Sequence, residues 1–515
     1  MTSLKTNEAG SASRTTFALM PALTIGLPAI LALLLGVSRS LTVPLWRDEY
    51  ATSMHAALAP SDLVRSLAGG DAVQGAYYLL IRLLSSVVGV EIGMRIPSLL
   101  AFAVTAATVS AIALRWWGIR SGLAAGIFFA LNGAAITAGA TARPYALTLM
   151  FLALAVFAAD RADRGRRWNW IGYCAAAVLA VAMHVISIVA LLCIGVLALG
   201  RHRGWLLRWV SWTAPALAVG VALALIGDSQ QSQIAWLPAP GLRSGISGLA
   251  QAAGVSVYRA VVWDGLGLIV LAAAAAAAML VTAGSAGRSA RAGGVRPVLF
   301  AAALAFAAPV ALFALSWIVM PAYTARYLSW ASLGAALIVG AAVFAATARD
   351  RIPSVVAGAC AAILLAGAAW IAALQLAQPP GVYDDVPALV GDLDQSARPG
   401  DALAVIQRNP HSGVAYALAR TAKDDAWAAD IVDRLPASAQ PTVELRSVAG
   451  TEPIELEESP GAVPAEGATV WIVSLDAPSD AELAAIGDGL GCTTDAADAD
   501  PEFFGGMRLY EVPCG

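Results

Sequence analysis

Long apolar segments separated by short polar turns fill the first three quarters of the chain, and their lengths predict transmembrane helices. A helix needs about 20 apolar residues to cross a bilayer. Eleven segments meet or approach that length. We place the spans at about 17–38, 95–114, 121–139, 144–160, two short helices within 169–200, then 207–227, 265–283, 297–318, 328–347 and 354–374.

The apolar run 169–200 is divided into two helices because it is too long for one span at 1.5 Å per residue. Arginines flank both of its ends, and short Arg-rich loops stay in the cytoplasm. Two short helices that meet near His184 explain both features. A single, steeply tilted span is the alternative, and it would invert the orientation of everything after it.

The same rule for arginine sets the predicted sidedness. Arg-rich turns at 161–167, 201–203, 288–296 and 349–351 are assigned to the cytoplasm, together with the N-terminal residues 1–16. The first external loop is then 39–93, and the C-terminus is extracytoplasmic. Within that loop, residues 74–90 are half apolar and are interrupted by Arg82, which favours an amphipathic helix at the membrane interface.

Beyond the linker 378–381 the composition becomes soluble and acidic. Alternating patterns predict strands at 401–407, 469–475 and 507–513, with helices near 411–421 and 479–488. Residues 382–515 therefore form a predicted small extracytoplasmic α/β domain. Cys492 and Cys514 could form a disulfide outside the cytoplasm, or they could both be free thiols.

Composition agrees with this class of fold. The 515 residues are 59% hydrophobic and 13% charged, whereas soluble domains carry about 25% charged residues. The chain is predicted to be a polytopic α-helical membrane protein with about eleven transmembrane helices over 17–376. No nucleic-acid partner is expected, and a bacterial inner (plasma) membrane is the expected location.

Charged side chains are rare in the membrane part, so their placement is informative. Apart from the Arg-rich cytoplasmic turns, the polar residues of the membrane part gather on the outer side of the predicted topology, and they include two tyrosines and one histidine. Carboxylates beside arginines suit a lipid-linked phosphate, since arginine binds phosphate through two hydrogen bonds, and a carboxylate can take a proton from a hydroxyl. A solvated helix N-terminus is the alternative interpretation for the carboxylates. The residues on this side are Asp48, Glu49, Arg143, Tyr145, His184, Arg259, Arg326 and Tyr327.

The order of several short motifs resembles one known family. These motifs are Trp46-Arg47-Asp48-Glu49 after the first span, Tyr77-Tyr78, Arg95-Ile96-Pro97-Ser98, Arg143-Pro144-Tyr145-Ala146-Leu147, His184 and Arg326-Tyr327-Leu328. Over about residues 40–350 the chain is similar to the GT-C superfamily of membrane glycosyltransferases. The resemblance is to the bacterial branch related to protein O-mannosyltransferases and lipid A aminoarabinose transferases.

The resemblance implies a GT-C-like catalytic domain and inverting transfer of a sugar from a polyprenyl-phosphate donor. Asp48 would be the base and Glu49 its neighbour, with Glu49 as the alternative base. Arg143 and Arg326 would contact phosphate or sugar. The remaining substrate-binding candidates are Arg47, Tyr145, His184, Arg259, Tyr323 and Tyr327.

Two departures from the family pattern affect the expected cofactor. Many relatives carry a Glu where this chain has Thr141, and they often have His-Pro-Pro where this chain has residues 73–76, Val-Gln-Gly-Ala. No cofactor is therefore expected, and a catalytic divalent metal is not supported. Mannose is the favoured sugar, with arabinofuranose or an aminosugar as alternatives, and a glycolipid, polysaccharide or protein as the acceptor. A non-catalytic lipid-linked-sugar flippase or scaffold is the rival class.

Overall fold

A computed structural model of the chain describes most of the membrane part and a portion of the C-terminal region. The described residues are 6–88, 90–162, 167–199, 201, 203–230, 239–256, 261–284, 294–319, 321–348, 351–377, 384–396, 402–406, 418, 467, 469–474, 478 and 500–513.

Helices make up nearly all of the described chain before residue 378. Those of the first half are α1 (Thr6–Thr42), α2 (Arg47–Ala57), α3 (Pro60–Gly69), α4 (Gly75–Val88), α5 (Val90–Trp117), α6 (Ile119–Leu131), α7 (Gly133–Ala140), α8 (Tyr145–Arg161) and α9 (Arg167–Met183). Those of the second half are α10 (Ile188–Leu192), α11 (Arg203–Asp228), α12 (Leu242–Ala253), α13 (Val261–Gly284), α14 (Val295–Ala302), α15 (Ala308–Ile318), α16 (Ala331–Ala346) and α17 (Arg351–Ala377).

Each of the eleven predicted spans coincides with helical structure. Among the described residues, six helices are long and apolar enough to cross a membrane, or seven if the bent pair α6–α7 forms one span. The other predicted spans match shorter helices, namely α8, α9, Val185–Ala198 and α16. The protein is therefore a polytopic α-helical membrane protein. The side of the membrane that each end faces stays a prediction.

Two breaks interrupt the apolar helices. The helix over 121–139 bends by 61° at Asn132, which the apolar pattern did not predict. The Asn132 side chain caps α7 by accepting a hydrogen bond from the Ala135 N–H at 3.2 Å, and it donates to the Ala253 carbonyl at 2.9 Å. The second break was predicted. α9 ends at Met183, and His184 has an extended backbone before short helical turns continue to Ala198.

Two ion pairs connect segments of the helical part beside the predicted cytoplasmic turn 161–167. The buried Asp160 carboxylate pairs with Arg115 Nε at 2.5 Å and with an Arg201 nitrogen at 3.5 Å. Burying a carboxylate is costly unless it is paired, and this group has two cationic partners. α12 lies between the predicted spans 207–227 and 265–283, and the apolar pattern did not predict it.

Contacts divide the chain into two compact units. The helical unit comprises the chain through Arg39, with Ala72–Tyr77 and Arg95–Ala377. The mixed unit comprises Ser40–Asp71, Tyr78–Met94 and the described part of Gln378–Gly515. Most of the predicted first external loop, 39–93, thus shares a unit with the C-terminal region.

A four-stranded sheet forms the C-terminal part of the mixed unit, in the order β1-β2-β4-β3. The predicted strands are confirmed as β1 (Ala402–Ile406), β2 (Thr469–Ser474) and β4 (Met507–Pro513), whereas β3 (Glu502–Phe504) and the helix α18 (Val386–Ser396) were not predicted. β1 is parallel to β2 with Ala402 opposite Val470, and β2 is antiparallel to β4 with Val470 opposite Val512. Apart from Leu418, the predicted helices at 411–421 and 479–488 lie outside the described residues, as do Cys492 and Cys514.

The core of the mixed unit contains residues from both of its sequence regions. Tyr50 of α2 is 5% exposed and packs among apolar side chains of α18 and the sheet. Leu45, just before α2, packs against the same cluster. The C-terminal members of this core are Val386, Leu389, Val390, Leu393, Leu418, Trp471, Val473, Met507 and Leu509.

The helix predicted within the half-apolar stretch 74–90 is confirmed as α4, Gly75–Val88. In the mixed unit, α4 buries Tyr78 and Ile81, while Leu79, Leu83 and Val87 of the same helix are exposed. A helix with an exposed apolar stripe suits an interface with lipid. Its position at the membrane surface stays a prediction.

Candidate functional site

The predicted carboxylate pair lies in the first turn of α2. Trp46 precedes the helix with an extended backbone and makes no side-chain cap, and its carbonyl accepts hydrogen bonds from the Glu49 and Tyr50 N–H groups. Carboxylates are favourable at this end of a helix because the backbone dipole is positive there. The local sequence therefore accounts for two adjacent acids at this position.

The two acids differ in burial. Glu49 is fully buried, whereas Asp48 is half-buried. A base must come within hydrogen-bonding distance of the proton that it removes. Asp48 is thus the more exposed member of the pair. Glu49 lies inside the mixed unit.

Arg47 was predicted to bind substrate, and in the structure it contacts the C-terminal region. Its Nε lies 3.4 Å from Asp384 Oδ2, and its backbone N–H donates to the same oxygen at 3.2 Å. Asp384 is buried. Burial raises the pKa of the Asp384 carboxyl above its ordinary value, and the neighbouring Arg47 opposes that shift.

A second set of polar side chains on α2 was missed by the sequence analysis. The buried His55 accepts or donates at both ring nitrogens, with Nδ1 2.7 Å from the Ala51 carbonyl oxygen and Nε2 3.4 Å from Ser66 Oγ. Its ring stacks on Tyr78, whose hydroxyl donates to Asp71. His55 follows Asp48 by seven residues, a spacing that places both on one face of a helix. The seven-residue spacing was the sequence signal that could have identified His55 as a neighbour of Asp48 on the helix.

The helical unit brings together five of the predicted site residues from three distant segments. The rings of Tyr145, His184 and Tyr327 form a triangle with centroid separations of 5.5, 4.9 and 6.2 Å. The Arg326 guanidinium lies 5.6 Å from the Tyr327 ring centroid, a cation–π distance. Both Arg143 and Arg326 act electrostatically on His184.

The local backbone explains how these side chains are presented. Arg143 lies in the bend between α7 and α8, where its N–H donates to the Thr141 carbonyl at 2.9 Å and its own carbonyl accepts from Ser98 at 3.2 Å. Arg326 and Tyr327 lie on a short 3-10 turn, Ala325–Leu328. His184 occupies the break that follows α9. Irregular backbone at all three positions turns polar side chains out of regular helix packing.

Tyr323 makes its contacts with a different part of the helical unit. The Tyr323 hydroxyl donates to the Gly245 carbonyl at 2.8 Å, and its ring meets Phe313 edge-on at 5.3 Å. Tyr323 thus joins the Arg326 turn to α12, and burial raises the pKa of its hydroxyl. Arg259 lies outside the described residues.

Among the residues that the structure describes, no group of three or more His, Cys, Asp or Glu side chains is arranged to hold a metal ion. One buried acid of the helical unit, Asp264, lies in the first turn of α13. Within the described part of the chain neither of its carboxylate oxygens has a hydrogen-bond partner.

Comparison with known proteins gives weak similarities only. No protein-family model matches the chain, and no curated protein matches it. One similar solved structure is ArnT from Cupriavidus metallidurans bound to undecaprenyl phosphate, with 13% identity and a TM-score of 0.46, covering 95% of this chain and 97% of that chain. ArnT from the same organism in the apo state is similar with 12% identity and a TM-score of 0.39, covering 98% of each chain. These scores are too low to assign a fold family or a function.

Proposed function

We propose that the protein is an inverting glycosyltransferase of GT-C type. It would move a sugar from a polyprenyl-phosphate donor to a hydroxyl of a cell-envelope acceptor at the extracytoplasmic face of the plasma membrane. The observation that carries the proposal is the unequal carboxylate pair at the start of α2, with Asp48 half-buried and Glu49 fully buried. One acid can then meet a substrate while its neighbour remains in the protein interior.

In the proposed reaction Asp48 is the general base. It takes the proton of the acceptor hydroxyl as the hydroxyl oxygen attacks the anomeric carbon of the donor sugar. The bond from that carbon to the phosphate oxygen breaks, and polyprenyl phosphate leaves with the bonding electrons. Attack opposite the leaving group inverts the anomeric centre, and Asp48 later releases its proton to water.

Arg143 and Arg326 are proposed to bind the donor phosphate. Guanidinium groups form charge-assisted, bidentate hydrogen bonds with phosphate oxygens, and they stabilise the charge that grows on the leaving group. Tyr145, His184 and Tyr327, whose rings lie close together with Arg326 over the Tyr327 ring, are proposed as further substrate contacts. Among the candidates, Arg47 contacts Asp384 and Tyr323 donates to the Gly245 carbonyl.

The donor sugar is proposed to be mannose, because the resembling branch includes protein O-mannosyltransferases. The test uses the full-length protein in lipid nanodiscs with labelled polyprenyl-phosphate mannose, arabinofuranose or aminoarabinose in separate reactions. Release of polyprenyl phosphate is measured with and without an envelope extract as acceptor. Consumption of one donor identifies the sugar. If the wild type consumes none of the three, the enzyme proposal fails.

The base assignment is tested by Asp48→Asn, with Asp62→Asn as the matched control. Asp62 is an acid of the same loop that pairs with Arg65 at 3.3 Å. Loss of a general base typically slows a reaction by about 10²- to 10⁴-fold, so Asp48→Asn should lower kcat by that factor while the control transfers normally. An Asp48→Asn protein that works at the wild-type rate would remove Asp48 from the mechanism. Glu49→Gln then asks whether the buried neighbour is the base.

A further inference from the structure

The helix that carries the carboxylate pair begins without a side-chain cap from its N-cap residue, Trp46. The first N–H groups of a helix have no partner inside the helix, so a side chain or water normally accepts from them. Ser, Thr, Asp and Asn are the usual caps. Here Trp46 occupies the N-cap position and makes no side-chain hydrogen bond to the helix end. The indole nitrogen is only a donor.

A carboxylate from the C-terminal region takes that place. Asp384 Oδ2 accepts the N–H of Arg47, the first residue of α2, at 3.2 Å and lies 3.4 Å from Arg47 Nε. One oxygen therefore binds both the main chain and the side chain of the same residue. The Asp384 side chain is only 3% exposed, so water competes little for these bonds.

A second contact fixes α2 to the same region one turn later. Tyr50 is buried in the core formed with α18 and the sheet, where it packs in the cluster with Trp471, Met507 and Leu509. Asp48 and Glu49 are the two residues between the Arg47 and Tyr50 anchors. The position of the helical turn that carries both acids is consequently set by contacts with residues more than 300 positions away.

The turn between β3 and β4 sets where the Asp384 carboxylate lies. The Asp385 N–H donates to the Phe504 carbonyl at 3.3 Å. A Cβ placed on Gly506 would lie 2.5 Å from Asp384 Oδ1, so any larger residue there would force the carboxylate or the turn to shift. Neither Gly506 nor Asp384 belongs to the proposed set of substrate contacts.

We propose that Asp384, although distant in sequence, caps the N-terminus of α2. Through this cap the C-terminal domain would hold Asp48 in the orientation that catalysis requires. Asp384 is thus a positioning residue, and the C-terminal domain is a required part of the catalytic unit. The structural half of this proposal, that Asp384 caps α2, is independent of the reaction. Its consequence for catalysis rests on the proposed role of Asp48.

Hydrogen–deuterium exchange tests the structural half in the full-length protein. Asp384→Ala and Gly506→Ala should both speed amide exchange in peptides that cover 46–57, while peptides of α5 stay unchanged. Asp384→Asn keeps an oxygen that can accept the Arg47 N–H, so its exchange should remain close to that of the wild type. Gly391→Ala is the matched control, because a Cβ there meets nothing within 4 Å. Unchanged exchange in 46–57 for both Asp384→Ala and Gly506→Ala would overturn the cap.

Steady-state kinetics test the consequence of the cap for catalysis by Asp48. Small displacements of a catalytic group cost up to about a hundredfold in rate. Asp384→Ala and Gly506→Ala should therefore lower kcat by about tenfold to a hundredfold, with the KM for the donor nearly unchanged. Asp384→Asn should recover most of the loss.

A general folding defect would instead reduce the amount of folded protein, and the loss of activity would then not follow the faster exchange in 46–57. Wild-type kcat in both variants, with faster exchange in 46–57, would overturn the positioning role. A wild type that consumes no donor would refute the proposed function, and the exchange experiment would still decide the cap.

Discussion

The imidazole of His55 stacks face to face on the phenol ring of Tyr78, with ring centroids 4.3 Å apart and planes inclined by 4°. This stack joins α2, which carries the carboxylate pair, to α4. The Tyr78 hydroxyl also donates to Asp71, a residue with a φ of 60°. One side chain therefore links the end of α2, the turn before α4 and α4 itself inside the mixed unit.

Substitutions of Tyr78 should separate the stack from the hydroxyl. Tyr78→Phe keeps the ring and removes the hydrogen bond to a carboxylate, a loss of about 1.5–3 kcal/mol. Tyr78→Ala removes the ring from a fully buried site and should cost about 3–5 kcal/mol. The free energy of unfolding in mild detergent measures both. Leu79→Ala is the control, since Leu79 is 54% exposed. Equal losses for Tyr78→Phe and Tyr78→Ala would show that the stack contributes nothing.

Arg326→Lys should weaken donor binding although it keeps the positive charge. Lysine cannot reproduce the planar fork that binds phosphate through two hydrogen bonds, nor the stacking of the guanidinium over Tyr327. A lost charge-assisted hydrogen bond of about 1.5–3 kcal/mol corresponds to a KM about tenfold to a hundredfold higher. Arg143→Lys should behave alike. Arg243→Ala, at an exposed position of α12, is the control, and a wild-type KM in both lysine variants would contradict the phosphate role.

Asn132→Ala should destabilise the helical unit. It removes the cap of α7 and leaves the Ala253 carbonyl without its donor, so we expect a loss of about 2 kcal/mol from the cap and the second hydrogen bond together. The thermal unfolding midpoint provides the measurement. Asn132→Ser keeps a side-chain oxygen that can cap α7 and lacks the amide donor to Ala253, so its stability should lie between those of the wild type and the alanine variant. An alanine variant as stable as the wild type would show that the bend does not depend on these bonds.

Stability should depend on pH through Asp384. Since burial raises the pKa of this carboxyl, the folded protein binds the proton more tightly than the unfolded chain does. Its contribution to stability is full below the unfolded pKa, near 3.8, and decreases as the pH rises through the folded pKa. The free energy of unfolding of the wild type, relative to that of Asp384→Asn, should therefore fall as the pH rises from the unfolded to the folded pKa of Asp384. Above the folded pKa the difference should become constant. Unfolding midpoints of both proteins over about pH 3.5–7 test this. A relative stability that rises with pH would mean that the ion pair with Arg47 outweighs burial.

Much of the helical architecture could be predicted from sequence because hydrophobicity acts locally. In a bilayer each helix satisfies its own backbone hydrogen bonds, so apolar length alone located the segments that became α1, α11 or α17. The break at His184 followed from length and flanking charge in the same way. The bend at Asn132 did not, because it depends on a hydrogen bond to Ala253 from a distant helix.

Sequence alone determined where the candidate chemistry lies along the chain: Asp48 and Glu49 after the first apolar helix, and Arg143, His184 and Arg326 at turns or breaks. Only the tertiary structure decided which of these side chains meet and which acid is reachable. The grouping of Tyr145, His184 and Tyr327 joins segments far apart in sequence, and the cap on α2 comes from Asp384 beyond the last span. Burial of Glu49 beside a half-buried Asp48 likewise depends on what packs against α2. Periodicity records which face of a helix is apolar, but the partner that covers that face is set by long-range packing.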